Sequence, residues 1–281
     1  MFSQLESTGL IQLERSHSID GLDLQLQRSV REIMKRASAA VVSIVRFLRS
    51  REPIVLVGLL LIVAGTWGFV ELADEVIEGD TGSFDRWAVR QFRSADDAAL
   101  PIGPTWMAEM GRDITGLGGV AVLTLFIIAA TGFLAIHRAY RTMVVLVAST
   151  VGGITVSMLL KQFFDRPRPD VVPHLSQIYS SSFPSGHSMM SAVVYLTLAA
   201  IVAPVLKHFW VRFYVMACAV LLTGLIGISR VYMGVHYPTD VLAGWTAGLV
   251  WAIACSLIAK SIPEKRLDPV MLDDEADADQ P

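Results

Sequence analysis

The sequence predicts an all-α membrane protein: six transmembrane helices in a bundle, preceded by an amphipathic N-terminal helix. Three observations carry this expectation. Of 281 residues, 53% are hydrophobic and 17% charged, and the mean hydropathy is +0.52, above the apolar share of a soluble domain. Six stretches, near 54–71, 117–136, 142–160, 187–206, 211–229 and 240–259, approach the roughly 20 helical residues needed to cross a hydrocarbon core of about 30 Å. Finally, the ionisable residues gather at the ends of these stretches rather than within them.

Ahead of the first span, Leu26, Val30, Ile33, Ala37, Val41, Ile44 and Leu48 recur at steps of three and four, with Arg28, Arg31, Lys35 and Arg36 elsewhere around the helix. This pattern predicts an amphipathic helix that lies on the membrane or against a partner, or simply leads into the first span. No chemistry is assigned to it. Residues 1–52 are expected to form a cytoplasmic segment, with no apolar core and small-residue site for signal cleavage. The first span then serves as the insertion signal.

The connection 72–112 carries Trp87, Phe92 and Trp106, rings suited to a membrane interface. It is expected to roof the site or touch lipid. Asp74, Glu75, Asp85 and Asp97 in and around it offset Arg86, Arg90, Arg93 and Arg112. Basic residues at the other ends of the spans set the orientation: Arg46, Arg49 and Arg51, then Arg138 and Arg141, Lys207 and Arg212, and Lys260, Lys265 and Arg266. Lys and Arg favour the cytoplasmic side, so both termini are expected there and the site on the extracytoplasmic face of the inner membrane. The six-span domain occupies 53–260. The acidic tail 261–281 has too little apolar content to pack and is expected to be disordered.

A net charge of −3 and a pI near 6.1 lack the basic excess of a nucleic-acid binder. The two cysteines, Cys218 and Cys255, lie in apolar spans and are expected to act as small hydrophobes.

A charged group at a helix centre in hydrocarbon costs about 2.5–3.5 kcal/mol on insertion scales, so a cluster of them beside membrane spans needs a use. Lys161 closes the third span. Arg168-Pro169 follows after Gln162–Pro167, where two prolines stop the helix. A lysine point charge and an arginine fork are complementary ways of binding phosphate oxygens. Pro184-Ser185-Gly186-His187 precedes the fourth span, where Ser185 can cap the helix and Gly186 lets its N–H approach an anion. Ser229-Arg230 ends the fifth span. His236 follows after five residues, and Asp240 sits four further on, past Pro238 at a helix start. A carboxylate in that place can hold one ring nitrogen of His236 and leave the other free to attack. Taken singly these are a snorkelling lysine, a juxtamembrane arginine, an interfacial histidine, or even a metal site, although three cations would repel a metal. Together they are an inventory for binding phosphate and transferring its phosphoryl group to nitrogen.

Residue by residue, these segments resemble the type 2 phosphatidic acid phosphatase family, which includes bacterial undecaprenyl-diphosphate phosphatases and the vanadium haloperoxidases. Lys161 with Arg168-Pro169, the run 184–187, and Ser229-Arg230 with His236 and Asp240 meet its three motifs in order. The resemblance implies that His236 attacks phosphorus to give a phosphohistidine, with Asp240 orienting it. His187 would serve as acid and then base, and Lys161, Arg168, Ser185, Gly186 and Arg230 would hold the phosphate oxygens. It implies a lipid phosphate or diphosphate as substrate, and neither metal nor cofactor. Activity is then expected to be bell-shaped in pH, with His236 neutral while His187 is protonated. The same residues leave open a lipid phosphotransferase or a non-catalytic lipid-binding or transport protein. A haloperoxidase is disfavoured by the six apolar spans.

Overall fold

A computed structural model describes residues 53–170 and 181–261. The amphipathic helix expected within 22–50 and the tail from 262 lie outside these residues. The described residues from Val57 onward belong to one compact unit. They contain no strand beyond an isolated bridge between Arg93 and Pro101. Eight α-helices follow in order: α1 Pro53–Glu78, α2 Gly82–Gln91, α3 Thr105–Leu117, α4 Val120–Ile136, α5 Tyr140–Phe163, α6 Gly186–Val202, α7 Phe209–Tyr232 and α8 Pro238–Ser261.

Five of these, α1, α5, α6, α7 and α8, are long and apolar enough to cross a membrane. The expected second span is the exception. Its helix α4 has 17 residues, and it becomes a full span only together with α3, from which it is bent by 45°. The break falls at Gly118-Gly119, so apolar periodicity alone merges what the backbone divides. The first span runs beyond the apolar stretch to Glu78, because Leu72, Ala73 and Val76 still pack against Phe183 and Ala243. The connection from 79 to 104 is not a plain loop either. It contains α2, whose inner face is Asp85, Ala88 and Val89 and whose outer face exposes Phe84 and Trp87. Phe92, expected at the interface, packs instead edge-on against Tyr232.

Helix α6 is the most enclosed of the five spans and is flanked by α5, α7 and α8. Its Val194, Tyr195 and Ala199 pack with Leu123, Ala219 and Ile226. Leu60, Trp67, Leu125 and Phe163 are among the large apolar side chains that point outward. In a membrane they meet lipid, so close backbone approach rather than expulsion of water must hold the helices together. At the α6–α8 crossing, small residues allow that approach. A Cβ on Gly244 would lie 2.6 Å from the Ser185 carbonyl oxygen, and one on Gly248 would lie 2.5 Å from that of Met189.

Candidate active site

Four helix ends meet at one side of the bundle: the C-termini of α5 and α7 and the N-termini of α6 and α8. Each end has a local cause. Pro167 and Pro169 follow the end of α5, because an interior proline breaks the helical ladder. Ser185 caps α6, its Oγ accepting from the Ser188 amide at 3.4 Å and from the Ser188 hydroxyl at 2.9 Å. Gly234, with φ of 71°, turns the chain out of α7, a left-handed conformation that glycine adopts freely. Pro238 opens α8, where its missing N–H costs nothing. The Ser185 amide donates to the Asp240 carbonyl at 2.9 Å, which ties the start of α6 to the start of α8.

The eight residues singled out by sequence lie on these ends. The His236 ring is buried. Its Nδ1 is 3.3 Å from Asp240 Oδ2, and the same oxygen accepts from the Tyr237 amide at 2.9 Å. Asp240 therefore holds one side of the imidazole and leaves Nε2 on the side of Arg168, whose Nη1 is 3.5 Å away. That Nη1 also donates to the Val235 carbonyl at 3.2 Å. Lys161 Nζ donates to the Ser181 carbonyl at 3.3 Å and packs over Gly186, where a Cβ would lie 3.4 Å from its Cε. Arg230 Nη1 donates to Thr115 Oγ1 at 3.0 Å, while its buried Nε has no hydrogen-bond partner among the described residues. His187, half-buried in the first turn of α6, interacts electrostatically with Arg230, His236, Lys161 and Arg168.

The electrostatics follow from this placement. Burial pushes His236 down to about 4, against the opposing pull of Asp240, so the ring is neutral near pH 7. Arg168 is lowered by burial, which Asp240 partly offsets. A cluster of like charges at the ends of membrane helices repels itself and favours an anion. The Nε of Arg230, without a partner among the described residues, is a further donor.

Two participants, Arg166 and Asp85, were missed from sequence. Arg166 Nη1 donates to Asp240 Oδ1 at 2.6 Å, and its Nη2 donates to Asp85 Oδ2 at 2.7 Å. Its plane lies over the Tyr237 ring, 4.6 Å from the centroid. Burial alone would depress this guanidinium, but Asp240 and Asp85 outweigh it and hold it above its ordinary value. Asp85, counted from sequence among the acids that offset outer arginines, is instead fully buried. It accepts from the Thr239 hydroxyl at 2.6 Å and the Thr239 amide at 3.2 Å. One signal was available for Arg166: it stands two residues before Arg168 in the same proline-punctuated segment. Asp85 carried only the i, i+3, i+4 spacing to Ala88 and Val89 on a short amphipathic helix.

A cleft of ≈ 450 Å³ opens between α1, α2 and α8, lined by Leu72, Glu75, Thr81, Phe84 and Thr239 among others. None of the eight residues lines it, but Thr239, whose hydroxyl donates to Asp85, does.

The fold defines a multi-pass membrane protein with cations clustered at its helix ends. It belongs to the PAP2 superfamily, whose family model matches residues 139–262, and it is a phosphatase of that superfamily. It is 35% identical over 166 residues to phosphatidylglycerophosphatase B of Bacillus subtilis, covering 56% of this chain and 80% of that protein. The crystal structure of a transmembrane PAP2-type phosphatidylglycerolphosphate phosphatase from Bacillus subtilis superposes with a TM-score of 0.64 at 30% identity, over 73% of this chain and 98% of that one. A lipid A 1-phosphatase of Rhizobium etli is 29% identical over 230 residues, 66% of this chain and 95% of that protein.

Proposed function

We propose that the chain hydrolyses a lipid phosphate or diphosphate monoester through a phosphohistidine intermediate, without a metal ion. The observation that carries this reading is the pairing of His236 Nδ1 with Asp240 beside the cations Lys161, Arg168 and Arg230. In the first step His236 Nε2 attacks phosphorus. The P–N bond forms as the bond to the leaving oxygen breaks, and His187 gives that oxygen its proton. In the second step His187 takes a proton from water, the water oxygen bonds to phosphorus, the P–N bond breaks and inorganic phosphate leaves. Lys161, Arg168, Arg230, the Gly186 N–H and the Ser185 hydroxyl hold the equatorial oxygens as charge redistributes. The cap leaves the Ser185 hydroxyl proton available for this use, because the cap employs its oxygen as an acceptor.

The relatives' names, a phosphatidylglycerophosphatase and a lipid A 1-phosphatase, support a phosphorylated lipid as substrate. The reaction takes place within 53–260 on the extracytoplasmic face of the inner membrane, a placement that the basic residues at the opposite span ends support. The test is phosphate release, in detergent and chelator, from phosphatidic acid, phosphatidylglycerol phosphate, undecaprenyl diphosphate and lipid A 1-phosphate, comparing the native chain with His236→Ala. Release that survives chelation and disappears in the variant supports the reading. Release that needs a divalent ion, or persists in His236→Ala, overturns it.

A further inference from the structure

We infer that Asp85 is a positioning residue for the nucleophile, acting through Arg166 and Asp240 in a continuous hydrogen-bonded chain from α2 to His236. The inference rests on the reading of His236 as nucleophile. The links are Asp85 Oδ2 to Arg166 Nη2 at 2.7 Å, Arg166 Nη1 to Asp240 Oδ1 at 2.6 Å, and Asp240 Oδ2 to His236 Nδ1 at 3.3 Å. Thr239 clamps the near end. Its hydroxyl donates to Asp85 Oδ2 at 2.6 Å and accepts from Arg166 Nη1 at 2.8 Å.

The chemistry of burial supports a role rather than an accident. Both Asp85 and Asp240 are fully enclosed, and a buried carboxylate is tolerated only when paired and hydrogen-bonded. A single guanidinium between them serves both, using the two arms of its fork in fixed geometry. If Arg166 faced Asp240 alone, its fork could rotate about the side chain, and Asp240 would follow. Asp85 fixes the far arm, so the oxygen presented to His236 is fixed as well. Asp85 lies outside residues 139–262, the part matched by the family model. The outer connection, through α2, therefore contributes a group to the site that the three motifs do not contain.

The experiment compares kcat and KM of the full-length chain in detergent with those of Asp85→Asn, Arg166→Lys and the double variant, with thermal unfolding to count folded protein. His236→Ala is run in parallel. Positioning predicts that Asp85→Asn lowers kcat on the order of 10²-fold, the scale of a slight misplacement of reacting groups. KM and inhibition by inorganic phosphate should stay unchanged, because Lys161, Arg168 and Arg230 are untouched. Asp85→Glu should recover part of kcat, and adding Asp85→Asn to Arg166→Lys should cost nothing further. Native kcat per folded molecule in Asp85→Asn, or losses that multiply in the double variant, would overturn the inference. Should Asp85→Asn not fold, Thr239→Val carries the test: lowered kcat at constant KM supports the chain, and native kcat overturns it. Turnover in His236→Ala removes the nucleophile reading itself. An inactive His236→Ala beside a fully active Asp85→Asn removes only the relay.

Discussion

A histidine attacks phosphorus only while its free nitrogen keeps a lone pair, so under the proposed mechanism the protonation state of His236 sets the acid limit of the reaction. Burial pushes the ring down to about 4. The lowered value means that the neutral, nucleophilic form dominates above about 4 and is lost as pH falls through it. The acid limb of kcat/KM should therefore descend near pH 4, about tenfold per pH unit. A pH-rate profile whose acid limb is already complete by pH 6 would contradict the enclosed His236. Arg230 offers a second prediction at this scale. Its fork reaches Thr115 and its buried Nε has no partner among the described residues, and the single nitrogen of a lysine cannot stand at both positions. Arg230→Lys should lower kcat by about 10²–10³, the loss seen when one transition-state donor is removed. A kcat within twofold of native, at full expression, would show that Arg230 does not hold the transferring group. The residues that sequence reading found are those whose type and spacing carry chemistry alone, such as His236 with Asp240 four residues on. Arg166 and Asp85 acquire meaning only from one another across 81 positions, and no local spacing records such a pairing.

Helices α6 and α8 cross so closely that the site depends on what is missing from their surfaces. Ser185 and Asp240 are joined backbone to backbone at 2.9 Å, and Gly244, one turn beyond Asp240, has no room for a methyl group. Gly244→Ala places a Cβ within 2.6 Å of the Ser185 carbonyl, a backbone atom that cannot swing aside. It should destabilise the protein by about 1–3 kcal/mol and, by parting the two helix starts, lower activity more than stability requires. Thermal unfolding paired with kcat on the folded fraction checks this. A variant with native melting and native kcat would mean that the crossing relaxes without cost. The long apolar helices were legible in sequence because the bilayer demands a length and a composition. The 45° break between α3 and α4 was not, since it interrupts an apolar stretch only by Gly118-Gly119. Helix α2 was hidden for the opposite reason: ten residues with a buried acid do not resemble a span.

Across the whole molecule, charge is distributed unequally between the two ends of the bundle. Lys161, Arg168 and Arg230 lie at the end formed by the C-termini of α5 and α7, whereas Arg138, Arg141, Lys207 and Arg212 lie at or beyond the opposite ends of the same helices and Lys260 at the C-terminal end of α8. Among the described residues no carboxylate stands in the connections that carry Arg138 and Lys207, while the site end carries the exposed Asp80, Asp96 and Asp97 in its connection. Lys and Arg near short loops favour the cytoplasmic side, which predicts that the end bearing Arg138 faces the cytoplasm and the site the outer surface. A lipid substrate would then be reached from the outer leaflet. With Cys218 and Cys255 replaced by alanine, a cysteine at exposed Asp97 should react with a membrane-impermeant maleimide in intact cells. One at exposed Arg138 should react only after permeabilisation. Reversal of the two patterns would put the site in the cytoplasm and restrict its substrates to lipids presented by the inner leaflet. Because the basic residues around the site are half-buried and engaged with Ser181, Val235 and Thr115, they contribute less to that choice than a count of charges along the chain implies, and the exposed arginines of the opposite end should decide it.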